Sequence, residues 1–136
     1  MKARIIVTTF IEKDGKILLG KKPDNVGPYP NAWHFPGGGV RLEEESLEEA
    51  VRREIKEETG LKIEKMERVS FDEDYEPDKH GEKTHYVFLA YKVIPLSMDV
   101  RASDDIVKLQ WFDKSELQML LLPRPSIKLL QEIGWL

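Results

Sequence analysis

Three glutamates, Glu54, Glu57 and Glu58, recur at spacings of three and four residues, which on a helix brings their side chains together on one surface. Around residues 47–61, Leu47, Ala50, Val51 and Ile55 define an apolar side. With roughly 100° per residue and Leu47 as origin, Glu54 falls at about −20°, Glu58 at about +20° and Glu57 at about −80°. The opposite side carries Glu48, Glu49, Arg52, Arg53 and Lys56, so a solvated face was available and two carboxylates do not use it. An unpaired carboxylate is costly to bury and takes up a proton before it stays charged in an apolar site. The pattern therefore calls for a positive partner.

Three like charges repel unless a cation bridges them. Magnesium, with manganese as a substitute, suits the pattern, because a hard divalent ion takes a few carboxylate oxygens and completes its shell with water and substrate phosphate. Gly37, Gly38 and Gly39 lie just before the helix, where a chain without β-carbons can bring backbone N–H groups close to an anion. Lys21 and Lys22, closing an early apolar run, serve either solubility or phosphate contact. Arg53 pairs best with Glu45 or Glu54, since a planar guanidinium holds a carboxylate in one orientation, and that role supports the site. Trp33 and Phe35 are core strand residues. His34, His80 and His85 show no metal-ligand spacing and receive no role.

Gly39, five residues, Glu45, seven residues and then Arg53-Glu54-Ile55-Lys56-Glu57-Glu58-Thr59-Gly60-Leu61 resembles the Nudix box, matching its nine specified positions over twenty-three residues without a gap. The preceding Trp33-His34-Phe35-Pro36-Gly37-Gly38 is similar to the segment that enters the box in that family. The resemblance implies hydrolysis of a nucleoside diphosphate linked to a further group. It also implies an α/β (α+β type) fold, an α/β/α sandwich with a mixed sheet and a glycine loop leading into the catalytic helix. By the same resemblance Glu54, Glu57 and Glu58 hold the metal. Glu54 is the first candidate for the base, with Asp104 and Asp105 in reserve, a pair that otherwise reads as an exposed turn.

A chain of 136 residues without a linker, repeat or low-complexity tract makes one domain over residues 1–136. The absence of cysteine excludes a disulfide framework and thiol chemistry and fits a reducing cytoplasm. A formal net charge of −4 argues against nucleic-acid polymers and anionic membranes and is compatible with a small, highly charged metabolite held through metal. The resemblance implies that this partner is a nucleotide, bound by a monomer or homodimer. No apolar run approaches a membrane span and the start does not resemble a secretory signal, so a soluble cytoplasmic protein is expected.

Strands are expected at residues 4–12, 16–21, 33–35, 61–71, 84–94 and 106–112, with Asp14-Gly15 as a hairpin turn. Residues 23–30 and 72–83 read as loops. Ser46 with Glu49 is a capping box, Gly60 a terminator, Asp113 with Glu116 opens a short helix, and residues 125–133 form a last one. Two substrates compete. Pro77, sixteen residues beyond Leu61, resembles a marker of ADP-ribose pyrophosphatases, with Asp78-Lys79-His80-Gly81 after it as a candidate substrate loop, whereas residues 83–87 with Asp104, Asp105, Trp111 and Phe112 look similar to relatives that cleave nucleoside triphosphates, oxidised ones included. A binding module that senses nucleotides without cutting them would carry a degenerate box, and this box is intact.

Overall fold

A computed structural model describes residues 1–23, 31–103 and 106–136. Most of the loop expected at residues 23–30, and both Asp104 and Asp105, lie outside the described residues.

The first strand, β1 (Lys2–Lys13), is a run of β-branched and aromatic residues, and it is the axis of the sheet. Asp14 and Gly15, with φ of 52° and 77°, close a two-residue hairpin into β2 (Lys16–Lys21), as the Asp-Gly pair predicts. Two short strands follow, β3 (Trp33–His34) against β2 and β4 (Gly37–Gly39) against β1. Helix α1 (Leu47–Thr59) leads to the long antiparallel pair β5 (Ile63–Pro77) and β6 (Lys83–Pro95). Strand β6 then lies parallel to β1, in register from Lys2 opposite Thr84 to Ile11 opposite Val93. Strand β7 (Lys108–Asp113) returns to β2, a 3-10 helix covers Lys114–Met119, and α2 (Arg124–Glu132) ends the fold. The path through the sheet is β3-β2-β1-β6-β5, with β4 on β1 and β7 on β2.

Strand periodicity divides the core between the two faces of this sheet. Val7, Ile11, Tyr91 and Val93 pack with Ala50, Val51 and Ile55 of α1. Phe10, Ile17, Leu19 and Ala90 pack with Leu129 and Leu130 of α2. A sheet covered on both faces by helices is the expected α/β/α sandwich. The capping box on α1 is complete, with Ser46 Oγ accepting the Glu49 N–H at 3.1 Å and Glu49 Oε1 accepting the Ser46 N–H at 2.9 Å. Gly60, at φ 74°, ends the helix with its N–H on the Lys56 carbonyl.

Two expectations are corrected. Residues 72–77 are not loop: β5 continues through Asp72, Asp74 and Glu76 to Pro77, because these charged residues alternate along an edge strand whose polar side chains find partners from α2. The glycine run is not a turn but a strand paired with Ile6, Val7 and Thr8. A Cβ on Gly37 would collide with the Val7 carbonyl oxygen, so only a bare backbone comes this close to β1.

Ile55, fully buried beneath the helix, and Ser46, exposed at its start, separate packing from capping. Ile55→Ala is expected to destabilise the protein by about 2–5 kcal/mol, through lost burial and the cavity left behind. Ser46→Ala should cost about 1 kcal/mol. Urea unfolding of both variants checks this order; equal losses would mean that α1 is not seated on the core as described.

Candidate functional site

The glycine strand and the carboxylate side of α1 face one another. Thr9 anchors the segment ahead of the glycines, its N–H and hydroxyl both donating to the Pro36 carbonyl at 3.0 and 2.6 Å, and the Val40 N–H donates to the Ile5 carbonyl at 2.9 Å. Between these anchors the Gly37 N–H donates to Glu58 Oε1 at 2.8 Å. A Cβ on Gly38 would stand 2.5 Å from Glu54 Oε1, so the missing side chain is the room in which the Glu54 carboxylate sits. Both glutamates are buried, Glu54 at 8% exposure and Glu58 at 2%, as the helical arc predicts. Glu57, on the flank of that arc, is half-buried.

The positive partner of Glu54 and Glu57 is Arg53. Its Nε and Nη2 donate to the two oxygens of Glu45 at 2.9 and 2.6 Å, Nη1 donates to Glu54 at 2.8 Å and to Glu57 at 3.4 Å, and Nη2 also reaches the Gly39 carbonyl at 3.1 Å. The forked contact with Glu45 is the geometry that only a planar guanidinium supplies. The Arg53 hydrogen bonds, joined by the Arg41 N–H, prevail over desolvation and lower the Glu45 carboxyl from its ordinary 4.5 to about 2. In return the same bonds, led by those to Glu45, raise Arg53 further above its already high value. The box glutamate and arginine thus tie the loop ahead of α1 to the glycine strand.

These groups line one side of a cleft of about 570 Å³. Ile6 and Thr8 of β1 and Tyr86 and Phe88 of β6 also line it, with Ser126, Lys128 and Leu129 from α2. The α2 wall is fastened by residues one helical turn apart meeting alternate residues of β5. Arg124 meets Asp72 and Asp74 at 3.4 Å and the Glu73 carbonyl at 2.6 Å, Lys128 meets Asp72 at 2.8 Å, and Glu132 accepts the Ser70 hydroxyl at 2.5 Å. Burial works to raise the Asp72 carboxyl, but the Lys128 hydrogen bond, the Glu73 N–H and the charges of Lys128 and Arg124 outweigh it and hold Asp72 low.

Glu45, Arg53, Glu54 and Glu57 therefore share one network, and Glu58 joins it through the glycine strand. Lys22 lines the cleft, whereas Lys21 does not: it pairs opposite Trp33 and holds its ammonium 5.4 Å from that ring's centre. Lys79, from the candidate substrate loop Asp78-Lys79-His80-Gly81, lines the cleft, and so do Arg4 and Arg41, which were passed over in the sequence. Alternation along β1, which puts Arg4 on the side of Ile6 and Thr8, was a usable signal for the first of them.

The donor set suits a hard cation: every candidate ligand is a carboxylate oxygen, two of the three are buried against the cleft, and Gly38 leaves the Glu54 carboxylate open space instead of a side chain. Among the described residues no three His, Asp or Glu side chains converge closely enough to cage an ion by themselves. An ion bound here would complete its shell with water and substrate oxygens.

Comparison with known proteins gives the family and the fold. A family model for the NUDIX domain matches residues 1–133. The nucleoside triphosphatase NudI of Salmonella paratyphi B is 33% identical over 125 residues, 88% of either chain. The crystal structure of a MutT NUDIX hydrolase from Burkholderia pseudomallei superposes with a TM-score of 0.80 at 28% identity, covering 98% of this chain and 99% of the other. The NUDIX domain of Shewanella oneidensis NrtR, solved with ADP ribose, superposes at a TM-score of 0.76, covering 98% of this chain and 86% of the other; at 19% identity it is a likeness of fold alone.

The depressed Glu45 carboxyl sets a pH signature. A carboxyl lowered by folding contributes stability that is fully present above its unfolded value near 4.5 and is lost as pH falls through about 2. The melting-temperature gap between wild type and Glu45→Gln should therefore stay constant near neutral pH, narrow below 4.5 and close beneath 2. A gap independent of pH across that window would show that the Arg53 pairing adds nothing to stability.

Proposed function

The chain belongs to the Nudix hydrolase family, and we propose that it is a metal-dependent nucleotide pyrophosphohydrolase using Glu54, Glu57 and Glu58 for magnesium or manganese and Glu54 as the base. The observation that carries this reading is the pair of buried carboxylates, Glu54 and Glu58, turned toward a cleft instead of the solvated back of α1. Structural economy alone would not keep two acids there.

A diphosphate resists water because negative oxygens shield its phosphorus atoms, so catalysis requires charge neutralisation and an incoming water held in line. A bound divalent ion supplies the neutralisation and acidifies water. The chain itself supplies orientation. Gly37 holds the Glu58 carboxylate through its N–H, and Arg53 holds Glu54 while anchored by Glu45. In this reading Glu54 accepts the proton of the attacking water, the water oxygen bonds to one phosphorus as the bridging phosphorus–oxygen bond to it breaks, and the nucleoside monophosphate separates from the other phosphate-bearing product. The intact box supports hydrolysis over a purely sensing module.

The named activity of NudI, a nucleoside triphosphatase at 33% identity, supports a nucleoside triphosphate over ADP-ribose. Pro77 is exposed at the end of β5 and does not line the cleft, which weakens the offset that favoured ADP-ribose. The Asp104-Asp105 alternative for the base stays a proposal resting on sequence. No described helix is long and apolar enough to cross a membrane, and a cytoplasmic site of action is inferred from the absence of cysteine.

A panel of nucleoside triphosphates and ADP-ribose, incubated with magnesium and resolved by chromatography, tests the activity. Excess chelator should stop turnover; an undiminished rate would remove the metal from the reading. Glu54→Gln is expected to stay at least ~100-fold impaired at saturating metal, because mass action does not replace a base. Deficits of Glu57→Gln and Glu58→Gln should narrow as metal rises. Recovery of Glu54→Gln with added metal, while Asp104→Asn or Asp105→Asn does not recover, would transfer the base to the later loop.

A further inference from the structure

We propose that Arg4, Arg41 and Lys79 form an anion subsite at one end of the cleft, taking the terminal phosphate of a nucleoside triphosphate. The proposal rests on the hydrolase reading above and adds to it the chemistry beyond the cleaved bridge. Three separate elements bring these cations together. Arg4 is on β1, directly before Ile5, whose carbonyl accepts the Val40 N–H at 2.9 Å and so places the start of the Arg41 loop beside it. Lys79 comes from the turn between β5 and β6, and that turn is tied to the same end of β1 by the ion pair of Lys2 with Asp78. All three line the cleft that holds Glu54.

Local backbone geometry bears on two of them. A Cβ on Gly39 would collide with the Arg4 guanidinium, so this last glycine makes room for a cationic head group. The turn that carries Lys79 is fixed by buried Asp78, whose Oδ1 accepts the N–H groups of His80 and Glu82 at 2.8 and 2.9 Å. The hydrogen bond from Lys2, aided by those two N–H groups, holds the Asp78 carboxyl well below the ordinary range despite the opposing effect of its burial.

None of the three cations makes an ion pair with a described residue, although Arg53 and Lys128, in the same cleft, are both paired. In a chain with 25 acidic and 21 basic residues, three cations without an ion pair among the described residues, at one end of the cleft, mark a place where negative charge arrives with the ligand. An ADP-ribose presents an uncharged sugar beyond its diphosphate. A nucleoside triphosphate presents another phosphate, to which guanidinium and ammonium groups donate charge-assisted hydrogen bonds.

The test compares kcat/KM for nucleoside triphosphates and for ADP-ribose, alongside calorimetric binding of inorganic tripolyphosphate. Arg4→Ala and Lys79→Ala should each lower the triphosphate to ADP-ribose ratio by about tenfold or more, the scale of one hydrogen bond to a charged group. Tripolyphosphate binding should weaken in parallel, and Arg4→Lys should retain part of both. An unchanged ratio with unchanged tripolyphosphate binding overturns the subsite, as does a wild type that prefers ADP-ribose. Lys79 is exposed on a turn, so its variant serves if Arg4→Ala fails to fold. Should the wild type cleave no nucleotide, the hydrolase reading falls and the tripolyphosphate arm alone decides: weaker binding by the variants supports the subsite, and equal binding overturns it.

Discussion

Arg53 holds the site together through charge. One guanidinium spans Glu45, Glu54, Glu57 and the Gly39 carbonyl, and in doing so joins the loop before α1, the helix itself and the glycine strand. The repulsion among acids one helical turn apart is relieved from within the chain, and each carboxylate it touches acquires an orientation. A lysine would bring the charge without the fork, and the Glu45 contact depends on the fork.

That arrangement needs a helix whose seat does not depend on the carboxylate side. Ala50, Val51 and Ile55 bury α1 on the sheet, while Ser46 and Gly60 satisfy its ends. The acids can then occupy the edge of the buried side without loosening the helix. Opposite them the chain uses glycines for space: Gly37 for contact with β1, Gly38 for the Glu54 carboxylate and Gly39 for Arg4. Three consecutive residues without side chains thus accommodate a strand, a carboxylate and a cation.

The far wall of the cleft obeys a different rule. Helix α2 buries Leu129 and Leu130 in the core and meets β5 through Arg124, Lys128 and Glu132. These contacts are partly exposed, so each adds little stability singly, and their value lies in setting where the wall stands. The cleft is therefore bounded by a helix placed by apolar burial and aligned by charge.

Much of the site was legible because its determinants are local. Helical phase alone put Glu54 and Glu58 on the buried side, the capping signals bounded α1 correctly, and Asp14-Gly15 announced its hairpin. Each depends on residues within a turn or two of one another. What the sequence left open depends on partners far along the chain. Asp72 and Asp74 read as loop residues because Arg124 and Lys128, which let them stay in a strand, come some fifty residues later. Gly37 to Gly39 read as a loop because the Val7 carbonyl, the Glu54 carboxylate and the Arg4 guanidinium that crowd their missing β-carbon positions come from β1 and α1, elements distant in the sequence or brought opposite only by the fold. Arg4 carries no motif and enters the cleft only through the register of β1 in the sheet, whereas Lys79 stood in a candidate substrate loop whose place beside Arg4 the sequence did not show. Periodicity and capping act within a segment and are written in it; register between distant strands is settled by the burial and pairing of the whole chain, and only the folded structure expresses it.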